Sequence, residues 1–354
     1  EPSLVSELIG IILIPIKLEE KSIISTKLKG EKIIDLANNK IIINNQKSKI
    51  NYLYNLNDGL SALNINTIFN NLTRATPMAS AGQEKSTIIS KIVFHPLEKN
   101  KLLIEANNLI YALDIDKLKI EEIKLQISNE KNRTNKLSNW LTKNSDIYYI
   151  IKKTGQISEK SDKTDQKQSK ESYQLLSYNL IAKTGINLGT LEISGLKEIK
   201  ILNNGGKILI IDNSNNLYIF DITNKKLKLI VDNALITASS LDNKKIAFLD
   251  KENKINIYFL ENWYKNHPQK AGEIIKLNTK NNGKIKNIFW YKDSYHLFVE
   301  YENKEIINID FIEIDTRDNL NQYPIIQKIK TAYYEAGSEI LYFIKNEKLY
   351  SLEV

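Results

Sequence analysis

Three histidines, His95, His267 and His296, are the side chains best suited to bind a metal or move a proton near neutral pH. They lie far apart in the chain, and no HExxH or other paired ligand spacing joins them. His95 precedes Pro96 at the turn after a strand, and His296 occupies the corresponding turn-to-strand region of a later unit. Turn and strand-entry roles account for both, and no metal site is assigned. Asp293, Asp315 and Asp318 fall at strand ends, where aspartate caps turns. Carboxylates are plentiful, but nothing in their spacing selects the pair that glycoside hydrolysis needs. A nucleophile elbow, a phosphate-binding loop and a dinucleotide fingerprint are missing, and Gly205-Gly206 reads as a hairpin turn. No catalytic residue and no cofactor follow from the sequence.

Trp140, Trp263 and Trp290 could stack on a sugar ring. Trp140 and Trp290 fall at matching first-strand positions of two similar units, which points to packing between units. Trp263 differs, because it lies in the polar excursion ENWYKNHPQKAGE (261–273) beside Tyr264 and His267. It reads as an exposed aromatic, and Trp263, Tyr264 and His267 are the candidate ligand-binding residues.

The elements that carry these residues repeat. IKNIFWYKDSYHLFVEYENKEIINIDFIEID, from Ile285, matches in pattern ISKIVFHPLEKNKLLIEANNLIYALDI, from Ile89, and IKILNNGGKILIIDNSNNLYIFDITNKKLKLI, from Ile199. Further copies begin at Ala234 and Lys330, and less regular ones at Gly30 and Leu137. About seven units spaced by roughly 40 to 60 residues approach the blade length of β-propellers. Each holds apolar runs of Ile, Val, Tyr and Phe between turns of Asn, Asp, Gly and Lys. The turns NSNN, KENK, ENKE and KNEK are short enough only for antiparallel hairpins. Runs such as KILIID and EILYFI are apolar at successive positions, so both sheet faces are buried. Radial stacking of four-stranded blades satisfies that requirement. The sequence therefore predicts an all-β, seven-bladed propeller spanning residues 1–354 as one domain. Helical periodicity is confined to IFNNL (68–72), a turn or two.

At 354 residues with 42% hydrophobic and 26% charged composition, the chain can bury a sizeable core. The formal charge of +8 suggests an anionic partner, yet arginine occurs only at Arg74, Arg133 and Arg317. Nucleic-acid recognition favours the arginine fork, and lysine, isoleucine and asparagine are together the residues of A/T-rich codons. Nucleic acid is not an expected partner. With no cysteine, disulfides, thiolate metal sites and cysteine nucleophiles are excluded. The segment GQISEKSDKTDQKQSKES (155–172) is almost free of apolar residues and cannot offset its ordering entropy by burial; it reads as a flexible hairpin tip. The early run LIGIILIPI (8–16) is about half the length of a membrane span and lacks a signal peptide's basic flank, so the chain is expected to be soluble and monomeric. The last unit is one strand short of four. The expected clasp is IGIILIPI (9–16), with SIISTKL (22–28) as the substitute.

The units KIVFHPLEKNKLLIEANNLIYALD and NIFWYKDSYHLFVEYENKEIINIDFIEIDTRDNLN resemble TolB-like and WD-repeat-like blades, in which a strand ending in an aromatic-x-Pro/Asp turn precedes a strongly apolar strand. The WD dipeptide is missing. More narrowly, the chain resembles the propeller region of bacterial PEGA-domain proteins. There a PEGA module ends in a strand like LVSELIGIILIPI, which would make residues 1–20 the end of such a module, and an element like residues 312–321 follows near the end. The resemblance implies an extracytoplasmic location, with membrane tethering only through a segment outside this chain. It supplies no catalytic residues. The function expected is a non-catalytic propeller that binds a protein or cell-envelope polymer through its loops. The alternative is a propeller hydrolase acting on glycan or peptide bonds with carboxylates around the axis.

Overall fold

Apolar residues at successive strand positions point to opposite faces, so a strand such as KIIINN needs a packing partner on each side. The computed structural model describes residues 21–24, 28, 32–37, 40–57, 62–75, 88–125, 136–152, 171–202, 206–263, 268–280, 283–315 and 320–354. Its strands form seven four-stranded antiparallel sheets, the blades of a propeller.

Strand β1 (Lys21–Ile24) precedes the first blade, which holds β2 (Lys32–Ala37), β3 (Lys40–Asn45), β4 (Ile50–Asn55) and β5 (Ala62–Asn64). Blade 2 holds β6 (Ile89–Phe94), β7 (Lys101–Ala106), β8 (Leu109–Asp114) and β9 (Lys119–Ile123). Blade 3 holds β10 (Lys136–Lys143), β11 (Asp146–Lys152), β12 (Glu171–Asn179) and β13 (Thr184–Ile193). Blade 4 holds β14 (Leu196–Ile201), β15 (Lys207–Asp212), β16 (Leu217–Asp221) and β17 (Lys226–Val231). Blade 5 holds β18 (Ile236–Ser239), β19 (Lys245–Leu249), β20 (Ile255–Phe259) and β21 (Ile274–Leu277). Blade 6 holds β22 (Lys284–Trp290), β23 (His296–Asn303), β24 (Ile306–Glu313) and β25 (Gln322–Ile329). Blade 7 holds β26 (Thr331–Glu335), β27 (Ile340–Lys345) and β28 (Lys348–Glu353), and β1 completes it.

First strands of adjacent blades touch, β2 with β6, β10 with β14, β18 with β22, and β26 with β2. The first strands therefore ring the axis. Each of the seven apolar clusters draws on two neighbouring blades, from the pair of blades 1 and 2 around Ile42 and Phe94 to the pair of blades 7 and 1 around Ile344 and Ile43. Ile41, Ile42 and Ile43 are each 0% exposed, because successive residues enter the clusters on opposite faces of blade 1. Burying one such side chain stabilises the fold by about 1.5–3 kcal/mol. The ENKE and KNEK turns are two-residue hairpins with left-handed backbone at Lys304 and Glu305 and at Asn346 and Glu347, the geometry of a type I′ turn.

Three details differ from the sequence reading. The helix α1 (Ile65–Ala75) has 11 residues rather than a turn or two. Asn64 caps it by accepting the Thr67 N–H at 3.0 Å, and Phe69 seats it edge-on against Tyr111 of blade 2 at 5.3 Å. The polar segment 155–172 reaches too far, because Glu171 and Ser172 already pair with Ile193 and Glu192 in the sheet; residues 155–170 lie outside the described residues. The place beside β28 belongs to β1, with Lys21 opposite Ser351 and Ile24 opposite Leu349. The substitute clasp therefore closes the ring, and residues 9–16, the clasp expected first, lie outside the described residues. Among the described residues no helix is long and apolar enough to cross a membrane.

Candidate functional site

A strand at the axis has a free edge, and five first strands carry a β-bulge at one common place. In β2 the register passes from Ile33 to Asp35, in β6 from Ile89 to Lys91, in β10 from Leu137 to Asn139, in β14 from Leu196 to Glu198, and in β22 from Ile285 to Asn287. The second bulge residue is polar in all five, and the next residue is buried: Leu36, Ile92, Trp140, Ile199 and Ile288. Bulges re-aim side chains. Here they place carboxylates, amides and a lysine around the channel.

Two of these groups, Asp35 and Lys91, and four other side chains bond to the backbone of an adjacent blade. Asp35 Oδ2 accepts the Phe94 N–H at 2.8 Å, joining blades 1 and 2. Lys91 Nζ donates to the Trp140 carbonyl and, at 3.3 Å, to Asn139 Oδ1, joining blades 2 and 3. Tyr173 Oη accepts the Leu196 N–H at 3.1 Å between blades 3 and 4. Lys200 Nζ donates to the Thr237 carbonyl between blades 4 and 5. Trp290 Nε1 donates to the Ala238 carbonyl at 2.9 Å between blades 6 and 5. Glu300 Oε1 accepts the Ala332 N–H at 2.7 Å between blades 6 and 7. The junction of blades 7 and 1 is held by strand pairing through β1.

The axial mouth opens into a cavity of about 680 Å³ where Glu198, Lys200, Lys286, Glu300, Glu302 and Lys330 meet. Two ion pairs lie in it: Lys200 is 3.4 Å from Glu198 and Lys286 is 2.9 Å from Glu302. Burial pushes the Glu300 carboxyl up to about 7, against the opposing pull of the Ala332 N–H, the Asn287 amide, Lys286 and Lys32. Burial also raises Asp35, although the Phe94 and Leu36 N–H groups favour its charged form. Lys91 is lowered by burial, with Glu105 and Glu198 acting the other way. An acid half-ionised near neutrality beside paired charges can donate or accept a proton, and the same wall can bind a polar ligand.

The sequence candidates stand elsewhere. Trp263 is buried rather than exposed: its ring packs on Phe259 at 5.3 Å and Tyr295 at 5.8 Å. The Lys245 ammonium, 1% exposed and 2.9 Å from Asp242, lies 5.6 Å from the Trp263 ring centre. A polar stretch hid this, because the apolar partners come from β20 and the β22–β23 turn. Tyr264, His267 and Asp318 lie outside the described residues. His95 Nδ1 accepts the Leu97 and Glu98 N–H groups at 3.2 and 3.0 Å. Asp293 accepts the Tyr295 and His296 N–H groups and sits 2.5 Å from His296 Nδ1. Both are turn devices, as expected. Asp315, two residues beyond the end of β24, is half-buried. Trp140 and Trp290 pack between blades, although Trp290 stands two residues beyond Ile288, the true register equivalent of Trp140. Among the described residues no three His, Asp or Glu side chains converge as a metal site.

The axial ring was missed because polar residues inside strands pass for turn chemistry. The signal was one Asp, Lys, Asn or Glu recurring before the buried residue of IIDLA, SKIVF, SNWL, KEIKI and KNIFW.

With this architecture the chain falls in the class of seven-bladed β-propellers. No protein-family model matches the sequence, and no curated protein matches it. Among solved structures it is similar to an oligogalacturonate lyase in complex with manganese, with a TM-score of 0.60 at 10% identity over 95% of this chain and 96% of that one. A chain of the mitotic checkpoint complex matches with a TM-score of 0.55 at 10% identity, over 94% of this chain and 92% of that one. At such identity the likeness defines the fold alone.

Proposed function

We propose that the chain is a non-catalytic binding propeller that engages a protein or cell-envelope polymer through the strand ends and loops around its axial mouth. One observation carries this reading: the buried axial carboxylates are committed to the blade junctions, Asp35 to Phe94 and Glu300 to Ala332. A group that holds two blades together is poorly placed to swing onto a scissile bond. Outside the junction bonds, the Lys286–Glu302 pair offers charge suited to a polar, charge-bearing surface, with Lys200 beside it. The resemblance of the blades to those of TolB-like and PEGA-domain propellers supports an extracytoplasmic setting for a monomeric chain, with any membrane attachment supplied from outside it.

The test is capture from envelope extracts by the purified chain and by a Lys200→Gln/Lys286→Gln variant. Capture of a defined partner by the first and its loss in the second is the expected outcome. Equal capture by both would place binding away from the mouth.

A second reading, a hydrolase of glycan or peptide bonds, is favoured by Glu300, whose carboxyl near 7 lines the mouth. A structural neighbour of the same fold is an oligogalacturonate lyase, which is in keeping with this second reading. A panel of glycosidase, esterase and peptidase substrates separates the readings. We expect no turnover above a heat-inactivated control, and a rate abolished by Glu300→Gln would put the hydrolase ahead.

A further inference from the structure

Beside the axial mouth, between blades 1 and 2, lies a second cavity of about 590 Å³. It shares Lys32 and Gln46 with the mouth, so the two are continuous around those side chains. Its charged lining is Lys32, Lys49 and Lys91, with no Asp or Glu. That sets it apart from the mouth, where ammonium and carboxylate groups alternate. Among the described residues Lys32 and Lys49 have no carboxylate partner within ion-pair distance.

The backbone that carries one of these cations, Lys49, is held from below. Asn44 Nδ2 donates to Asn51 Oδ1 at 2.9 Å, and the Asn51 backbone N–H and Nδ2 donate to Asn66 Oδ1 at 2.8 and 3.2 Å. Asn66 Nδ2 in turn donates to the Lys49 carbonyl at 3.4 Å. This amide chain fixes the β3–β4 turn, whose last residue, Lys49, has φ 56°. Lys91 is already committed to Trp140 and Asn139, so it adds positive potential while Lys32 and Lys49 remain to make contact. The rest of the wall mixes the amides and hydroxyl of Gln46, Asn51 and Ser90 with the apolar side chains of Ile89 and Val93.

We propose that this cavity is a subsite for the carboxylate of an acidic saccharide unit, with the neighbouring units of the chain running into the axial mouth. The proposal deepens the binding reading above and rests on it. The volume falls in the range of about 300–1,000 Å³ usual for small-ligand sites. Side-chain amides and a hydroxyl both donate and accept, matching sugar hydroxyls, and the isoleucine and valine surface suits the C–H face of a pyranose. Nucleic acid fits poorly, since no aromatic side chain lines the cavity for base stacking. An acidic peptide would present the same carboxylate, and the comparison of oligouronate with oligoglutamate below separates the two.

Titration calorimetry of the full chain tests this with three probes: a short oligouronate, its methyl ester, and an oligoglutamate of equal charge. The oligouronate should bind, more weakly as salt rises. The ester, and the Lys32→Gln/Lys49→Gln variant with the free acid, should each bind about tenfold or more weakly, the usual consequence of losing a charged hydrogen bond. A Lys228→Gln control on an outer strand should bind like the parent chain. Equal binding of acid and ester, unchanged affinity in the double variant, equal or tighter binding of oligoglutamate, or no binding of the oligouronate would each overturn the proposal. The ester comparison needs no variant, so it stands even if the double substitution harms folding. Failure here with capture still dependent on Lys200 and Lys286 removes the saccharide subsite alone; loss of both removes the binding reading as well.

Discussion

Glu300 of β23 and Ala332 of β26 are joined by a 2.7 Å hydrogen bond across the junction of the sixth and seventh blades, carboxylate oxygen to backbone N–H. Glu300 is only 4% exposed, so the bond that ties the blades also keeps a carboxyl out of water. The two effects oppose each other, and burial wins, with the carboxyl at about 7 against an ordinary 4.5.

The contribution of Glu300 to stability should therefore fall as pH rises. The folded chain holds the Glu300 proton more tightly than the unfolded chain does, so this group costs nothing below pH 4.5, costs progressively more up to about 7, and is fully costly above that. At about 1.4 kcal/mol per pH unit the full cost is roughly 3 kcal/mol. Asp35 acts in the same direction, while His95, lowered chiefly by burial, opposes it below its ordinary 6.5. The difference between the parent chain and Glu300→Gln isolates the one group. Denaturant titrations should show Glu300→Gln gaining on the parent chain between pH 5 and pH 8. A constant difference would refute an elevated Glu300.

Substitution at Trp263 should damage the fold. Its burial beside Phe259 and Tyr295 predicts a loss of about 3–5 kcal/mol for Trp263→Ala, where an exposed stacking platform would lose almost nothing. Lys245→Ala should cost a similar amount, about 3–5 kcal/mol, because it leaves Asp242 without its cation. Burial works to raise Asp242, but hydrogen bonds from Ser240 and Lys245 outweigh it and hold the carboxyl below its usual range. Chemical denaturation of the two single variants and the double variant should show less than additive loss, since both act on one cluster.

The blades were legible because strand formation here is a local matter: Ile, Val and Tyr at successive positions, as in Ile41 to Ile43, announce two buried faces whatever the rest of the chain does. Trp263 was not legible, because its burial needs Tyr295, more than thirty positions away, as well as Phe259 of the preceding strand, and the stretch that carries it is polar. Helix α1 is longer than its local pattern implies for the related reason that Ile65 and Phe69 find their apolar partners in blades 1 and 2, while Asn66, Asn70 and Asn71 dilute that pattern. The axial ring depends on bulges, and a bulge changes register without changing composition. Its residues became visible only once Asp35, Lys91, Asn139, Glu198 and Asn287 were seen at one height.

Gly195 should resist substitution more than Gly272. Both have left-handed backbone, with φ +95° and +91°. A Cβ at Gly195 would lie 2.3 Å from Asn213 Nδ2, whereas one at Gly272 would meet nothing within 4 Å. Gly272→Ala should show the backbone strain alone, about 1–3 kcal/mol. Gly195→Ala should add to that by displacing Asn213, whose N–H donates to the Gly195 carbonyl at 3.3 Å. Equal melting temperatures for the two variants would show that Asn213 yields without cost.

Ring closure is the relation on which the whole architecture depends, and it rests on few residues. Strand β1 pairs with β28 through Lys21, Ser22 and Ile24. Beyond it Leu28 donates its N–H to the Glu347 carbonyl at 2.9 Å and is buried in the cluster between blades 7 and 1, with Ile23 packed against it. The Lys21–Glu353 ion pair at 3.4 Å is exposed on both sides and adds little. Burial of Leu28 and part of Ile23 contributes roughly 3–5 kcal/mol, and β1 covers a strand edge that would otherwise recruit other chains. A chain starting at Lys21 should therefore melt where the full chain melts. One starting at Lys32 should lose several kcal/mol and associate as concentration rises, and a peptide spanning residues 21–28 should restore part of the loss. If the chain starting at Lys21 is already as unstable as the shorter one, the clasp draws on residues 1–20. If all three melt together, pairing through β1 does not hold the ring.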